Sequence, residues 1–309
     1  MPASACVLLP SPRTAYSVNW SLTTWEHLAI AANAGTTPCI NEAKEQQLDL
    51  GIKGRKAIVN GGSAGMGRSA VRALAREGVE VFVSARGEER LLRACREIAA
   101  ETGATITPVC ADHASDEGRE RILAACPDPD ILVGTCAPPP MTPDYRAITD
   151  EQWREAIDIS LLSPIAFMRR VLDGMVERRW GRVVNIATVA AKYPGEIRAL
   201  SGSTRAALVN YTVAVSKIVA RHNVVINNLL PGMHHTATVE EQFTARAKAK
   251  GTSYEEEVAE FVRDWRIASG RFGNADDVGA FVAMFCSEYA NYMTGQSLVI
   301  DGGATTSTF

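Results

Sequence analysis

One stretch limits the possible folds of this chain more than any other. Asn60-Gly61-Gly62-Ser63-Ala64-Gly65-Met66-Gly67-Arg68 sits between a short apolar run and a helical one. Lys56–Asn60 reads as a strand, and Arg68–Glu77 as a helix stopped by Gly78. Gly61 permits the sharp turn, Gly65 lets backbone N–H groups approach a phosphate, and Gly67 lets the helix pack on the strand. The helix start adds partial positive charge. The turn at Gly61, Ser63, Ala64, Gly65, Met66 and Gly67 is therefore assigned to a dinucleotide pyrophosphate. A tight turn without a ligand would use the same glycines, so the context has to carry the argument.

The context is a regular alternation. Strands are expected at Val79–Ala85, Ala104–Cys110, Asp130–Thr135, Arg182–Ala187, Val224–Leu230 and Ser297–Ile300. Helices are expected at Glu88–Thr102, Ser115–Ala125, Ala199–Ala220 and Asn274–Ser287. A further long helix, opened by the capping box Thr149-x-x-Gln152, runs toward Arg179. Strict alternation implies an α/β fold: a doubly wound, Rossmann-type parallel sheet in one domain. Residues 233–270 interrupt the pattern with a polar, helix-prone segment carrying Phe243, Tyr254, Phe261 and Trp265. It follows a strand's carboxyl end, where such sheets bind ligands, so it reads as a lid; a surface or subunit-contact hairpin is the other reading.

Residues 1–47 lack this order and read as a poorly ordered extension, with a short helix over Trp25–Ala34. The domain is placed at residues 48–309, and a natural start at Leu48 is one expectation, checked by mass spectrometry of the native N-terminus. A net charge of −3 gives no reason to expect nucleic acid or an acidic membrane as partner. No apolar stretch is long enough to span a bilayer. The seven cysteines form no C-x-x-C pair and read as reduced thiols in a cytoplasmic protein. No cluster has metal-ligand spacing, so no metal is expected.

The spacing G-x-x-x-G-x-G, with Asp112 after the third strand, Pro231-Gly232 after the sixth and Asp301-Gly302-Gly303 after the last, resembles the short-chain dehydrogenase/reductase family. The resemblance covers about residues 48–304 and implies a nicotinamide cofactor. It places Asp112 at the adenine amino group, His113 at the adenine or in solvent, and Pro231 and Gly232 at the nicotinamide end. The second strand ends Ser84-Ala85-Arg86, without the acid that accepts from ribose hydroxyls. Arg86 suits a 2′-phosphate, with Ser84 adding a hydrogen bond, so NADP is favoured and NAD is less so. Arg68, just past the turn, suits either nucleotide.

The family's reaction residues are replaced. Thr188 falls on the hydroxyl position that steadies a carbonyl. Ser201 stands where the tyrosine acid/base is expected, Arg205 where its lysine is, and Ser160 at the proton-relay asparagine. The family's Asn-Asn-Ala-Gly is Gly134-Thr135-Cys136-Ala137, which puts Cys136 against the cofactor. Ser201 and Arg205 share a helix face. A guanidinium keeps its charge, so Arg205 holds ribose or an acidic substrate but is no base. Tyr193 beside Lys192, or His234-His235, are alternative acids; support of cofactor binding alone is the plainer reading of Ser201 and Arg205.

Three functions follow: an oxidoreductase moving a hydride between NADP(H) and a small carbonyl or hydroxy compound; a non-redox lyase or isomerase; or a catalytically silent nucleotide-binding subunit. The partners expected are a small-molecule substrate and further copies of the chain. The long helices over 149–179 and 199–220 match those that build homodimers and homotetramers in the family.

Overall fold

The computed structural model describes residues Leu48–Thr306. The expected extension over 1–47, with its short helix, lies outside the described residues. The chain runs β1 (Lys56–Asn60), α1 (Gly65–Arg76), β2 (Glu80–Ala85), α2 (Glu88–Thr102), β3 (Ile106–Cys110), α3 (Asp116–Ala125) and β4 (Ile131–Gly134). Then come α4 (Asp150–Ile157), α5 (Ser163–Glu177), β5 (Gly181–Ile186), α6 (Ala199–Val219) and β6 (Val224–Pro231). The last elements are β7 (His234–His235), α7 (Ala237–Lys250), α8 (Tyr254–Asp264), β8 (Gly273–Asn274), α9 (Ala275–Cys286) and β9 (Ser297–Ile300).

Seven strands form one sheet in the order β3-β2-β1-β4-β5-β6-β9, every pair parallel. The order in which successive strands are added reverses between β1 and β4, which opens a crevice at their carboxyl ends. Alternation along each strand feeds two cores. Ala57 and Val59 of β1, Ile131 and Val133 of β4, and Val184 of β5 face α1 and α9, where Val71, Leu74, Val278 and Val282 meet them. Ile58, Leu132 and Val183 point the other way, onto Phe167, Met168 and Met175 of α5 and Leu208 of α6.

The expected elements reappear with shifts of a few residues at their ends. The helix from Thr149 is an exception. Its capping box with Gln152 is present, but a π-turn at Asp158–Leu162 divides it into α4 and α5. Such a turn accommodates an extra residue and is common near sites of function; Ser160 lies inside it.

Residues 233–270 fold as the helical pair α7 and α8 around Phe243, Phe261 and Ile267, with Phe272 of the following turn packed among them. Ser253 and Glu256 form a capping box that starts α8. The buried Glu257 carboxylate draws the pair together: Arg246 Nε lies at 2.5 Å, Lys250 Nζ at 3.1 Å and Thr252 Oγ1 at 2.8 Å. The N-cap of α7 stands over the glycine turn, since a Cβ on Gly65 would lie 3.3 Å from Thr236 Cγ2.

The cysteines of the described residues are free. Burial pushes the Cys95 thiol up to about 11 and those of Cys126 and Cys286 up to about 12, which makes them inert core groups. No helix among the described residues is long and apolar enough to cross a membrane. No metal-binding cluster occurs among them.

Candidate active site

The crevice begins at the glycine turn. Gly61 has φ +71°, a left-handed conformation that glycine adopts without strain. A Cβ on Gly67 would stand 2.4 Å from the Gly61 carbonyl oxygen, so α1 can approach β1 only with glycine there. Ala64 caps α1 and offers no side-chain acceptor, which leaves the N–H groups of the first turn for a ligand. Met66 continues that turn, and Ser63 is buried beneath it. These groups fit a pyrophosphate.

At the adenosine end, Arg86 follows β2 with an exposed side chain, its Nη1 4.0 Å from Asp112 Oδ2. Two expectations are corrected here. Ser84 is fully buried and donates to Asn60 Oδ1 at 2.8 Å, so it cannot reach a 2′-phosphate. Arg68 turns onto Glu97, with Nη2 to Oε2 at 2.5 Å, and away from the nucleotide crevice. His113 is also tied inward rather than left in solvent. Its Nδ1 lies 2.9 Å from Ser163 Oγ, and that hydroxyl donates to the His113 carbonyl at 2.6 Å. Ser163 was not anticipated from the sequence.

At the other end of the crevice, Thr188 follows β5. Its Oγ1 accepts from Ala190 N–H at 3.3 Å, leaving its own proton to donate. Ser201 and Arg205 lie one turn apart on α6, both buried, and Arg205 Nη1 donates to Ser201 Oγ at 2.8 Å. Arg205 Nη2 lies 3.1 Å from Cys136 Sγ, which in turn is 3.6 Å from Ser160 Oγ. Ser160, Cys136, Arg205 and Ser201 thus form one connected polar row. Ser160, Cys136 and Arg205 line a cavity with Asn60, His113 and Asn185.

The alternative acids fare differently. Lys192 Nζ stands 5.4 Å from the centre of the Tyr193 ring, over its face. That placement gives the phenol a cation–π neighbour, not an ammonium at its hydroxyl. His234 is buried and bonds the Gly232 carbonyl through Nδ1 at 3.2 Å, while its ring packs on Gly273. His235 bonds the Tyr254 hydroxyl at 3.2 Å. His234 is thus absorbed in tying the 233–270 segment to the end of β6, and His235 in tying β7 to α8. Gly232 passes against Asp301 where β6 ends at Pro231, a close approach that a Cβ would block at 2.8 Å.

Burial holds both His113 and His234 below the usual histidine range, so both rings fold in the neutral form. In the unfolded chain they bind protons near pH 6.5. Their contribution is thus complete above about pH 6.5 and is lost as pH falls below it. Thermal denaturation between pH 8 and 5 is expected to show a falling Tm, and His113→Gln with His234→Gln should flatten that slope. An equal slope in the double variant would refute the assignment.

A crevice of this form, with an uncapped helix start at the turning point of a parallel sheet, is the architecture of dinucleotide-dependent enzymes. The family model described as enoyl-(acyl carrier protein) reductase matches residues 61–305, and the chain belongs to the short-chain dehydrogenase/reductase family of NAD(P)-dependent oxidoreductases. It is 27% identical to the uncharacterized oxidoreductase YvaG of Bacillus subtilis (strain 168), over 85% of this chain and 100% of that one. It is 28% identical to the 3-oxoacyl-[acyl-carrier-protein] reductase FabG of Aquifex aeolicus (strain VF5), over 83% of this chain and 99% of the other. Among solved structures, L-sorbose reductase from Gluconobacter frateurii, complexed with NADPH and L-sorbose, superposes with a TM-score of 0.80 at 24% identity, covering 84% of this chain and 100% of that one.

Proposed function

We propose that the protein is an NADP(H)-dependent reductase of a small carbonyl compound, working with a hydroxyl and a guanidinium where the family uses a phenol and an ammonium. The observation that carries this reading is the 2.8 Å bond from Arg205 to Ser201 Oγ, on a helix that packs through Gly202 on the turn capped by Thr188. NADPH, when bound, supplies the hydride. Gly61, Ser63, Ala64, Gly65, Met66 and Gly67 hold its pyrophosphate. Arg86 meets the 2′-phosphate, Asp112 and His113 border the adenine, and Pro231 and Gly232 border the nicotinamide. The NADPH complexes of similar folds support that choice of nucleotide.

Thr188 donates to the carbonyl oxygen and orients it. Ser201, accepting from Arg205, donates a stronger hydrogen bond to the same oxygen. Arg205 stabilises the negative charge that develops there. A serine is too weak an acid to release its proton unaided, so it relays one delivered by water. Ser160 and Cys136 extend that row inward. The phenol of Tyr193 is the second candidate donor. The active form is a homodimer or homotetramer, which light scattering tests.

The test is NADPH titration followed by a carbonyl panel. Binding with NADPH oxidation is expected; binding without oxidation across the panel would defeat the reading and favour a silent subunit, and turnover indifferent to nucleotide would favour a lyase or isomerase. For the nucleotide itself, Arg86→Ala is expected to raise the NADPH Kd about tenfold and leave NADH unchanged. A charge-assisted bond contributes about 1.5 kcal/mol or more, and exposure places this one at the low end. Calorimetry with both nucleotides decides it.

A further inference from the structure

Arg198, which the sequence did not single out, ends the short turn Glu196–Arg198 and occupies the cap position of α6, three residues before Ser201. Its Nη2 contacts Met233 Sδ at 3.5 Å, at the base of the lid. The thioether is a weak acceptor and carries no charge. No carboxylate of the described residues lies within 4.0 Å of the Arg198 or Arg205 guanidinium. Arg205 is buried against a hydroxyl and a thiol. Burial and the neighbouring Arg205 charge both push Arg198 below the usual arginine range, and no acid offsets them.

The buried cation Arg182 is treated differently: it meets Glu288 at 3.5 Å and the Ser287, Gly181 and Asn223 carbonyls. Arg198, Ser201 and Arg205 recur at i, i+3 and i+7 along α6 and so share one helix face, and no carboxylate of the described residues pairs with either guanidinium. Like charges held together in a partly dry site raise the energy of the free protein, and an anion between them lowers it.

Taking the carbonyl-reductase reading as its basis, we infer that the substrate is an oxo acid whose carboxylate is held by Arg198, with Arg205 adding its charge while it polarises Ser201. The planar guanidinium fork matches a carboxylate with two parallel hydrogen bonds. One end of the molecule is thereby fixed at the lid, which presents the carbonyl to Thr188 and Ser201. Reduction yields the hydroxy acid: the carbonyl carbon takes the hydride from NADPH, and the oxygen takes the relayed proton. Arg198 acts as a specificity residue that binds the non-reacting end.

The experiment compares matched pairs: pyruvate with methyl pyruvate, acetoacetate with methyl acetoacetate, and levulinate with methyl levulinate. Each is assayed by NADPH oxidation and, separately, by calorimetry on nucleotide-free protein. At least one acid is expected to exceed its ester about 100-fold in kcat/KM. Arg198→Gln should remove that preference mainly through KM, while Arg198→Lys retains part of it and the NADPH Kd of both variants stays unchanged. Esters reduced as well as their acids would overturn the inference and leave the reductase standing. Acids that bind in an Arg198-dependent way but are never reduced would uphold the anion site and overturn the reductase. No binding and no turnover of any acid would remove both.

Discussion

The double variant Ser201→Tyr, Arg205→Lys is expected to reduce simple ketones about 100-fold faster than the unmodified protein, the usual yield of a well-placed general acid. The two positions sit one helical turn apart and already touch, at 2.8 Å, so a phenol and an ammonium placed there meet on one face. A fixed ammonium lowers the pKa of a phenol toward neutrality, which a guanidinium beside a hydroxyl does not achieve. Each single replacement is expected to fall well short, because each leaves half of the pair. NADPH oxidation with a neutral ketone measures the effect, and calorimetric NADPH binding establishes that the variant is folded. A double variant that binds nucleotide yet gains nothing would mean that the rest of the cleft no longer supports the family's reaction.

Gly67→Ala is expected to abolish detectable NADPH binding and to lower Tm by about 6–12 °C. The added methyl would stand 2.4 Å from the Gly61 oxygen and 2.9 Å from Thr135 Cγ2. The first of these is backbone and cannot rotate aside, so α1 must move off β1. Overpacking of this kind costs about 3 kcal/mol, which converts to that shift for a domain of this size. Movement of α1 also carries its first-turn N–H groups away from the pyrophosphate. Gly87→Ala is the control. It has an ordinary φ of −87° and open space around it, and its Tm should stay within about a degree. A Gly67→Ala protein that melts with the parent would refute the packing argument.

Much of the architecture was legible because it rests on local rules. α2 at Glu88–Thr102 and β9 at Ser297–Ile300 were predicted to the residue, since a left-handed glycine ends the first and β-branched residues fill the second. The π-turn at Asp158–Leu162 was not legible, because the apolar spacing continues through it and only tertiary packing reveals the extra residue. In the site, Ser201 and Arg205 were found by spacing from Thr188, and they do meet. Ser84 was misjudged: a hydroxyl at a strand tip reads the same whether it faces the ligand or, as here, Asn60. His234 was misjudged for a similar reason, since neither its burial nor its bond to Gly232 is written in the neighbouring residues. Arg198 was missed because an arginine at a helix start looks like solvent-facing charge. Its meaning depends on which acids are absent around it, and that is a property of the folded chain alone.

Thr236, resting over Gly65, has a kinetic consequence. Under the proposed function, a nucleotide in the turn would lie beneath the N-cap of α7. Its escape rate would then be governed by how often α7 and α8, held together by the aromatic cluster of Phe243, Phe261 and Phe272, move off the turn, more than by the strength of its own phosphate contacts. Tightening that cluster would lengthen residence time while leaving the intrinsic fit of the nucleotide untouched.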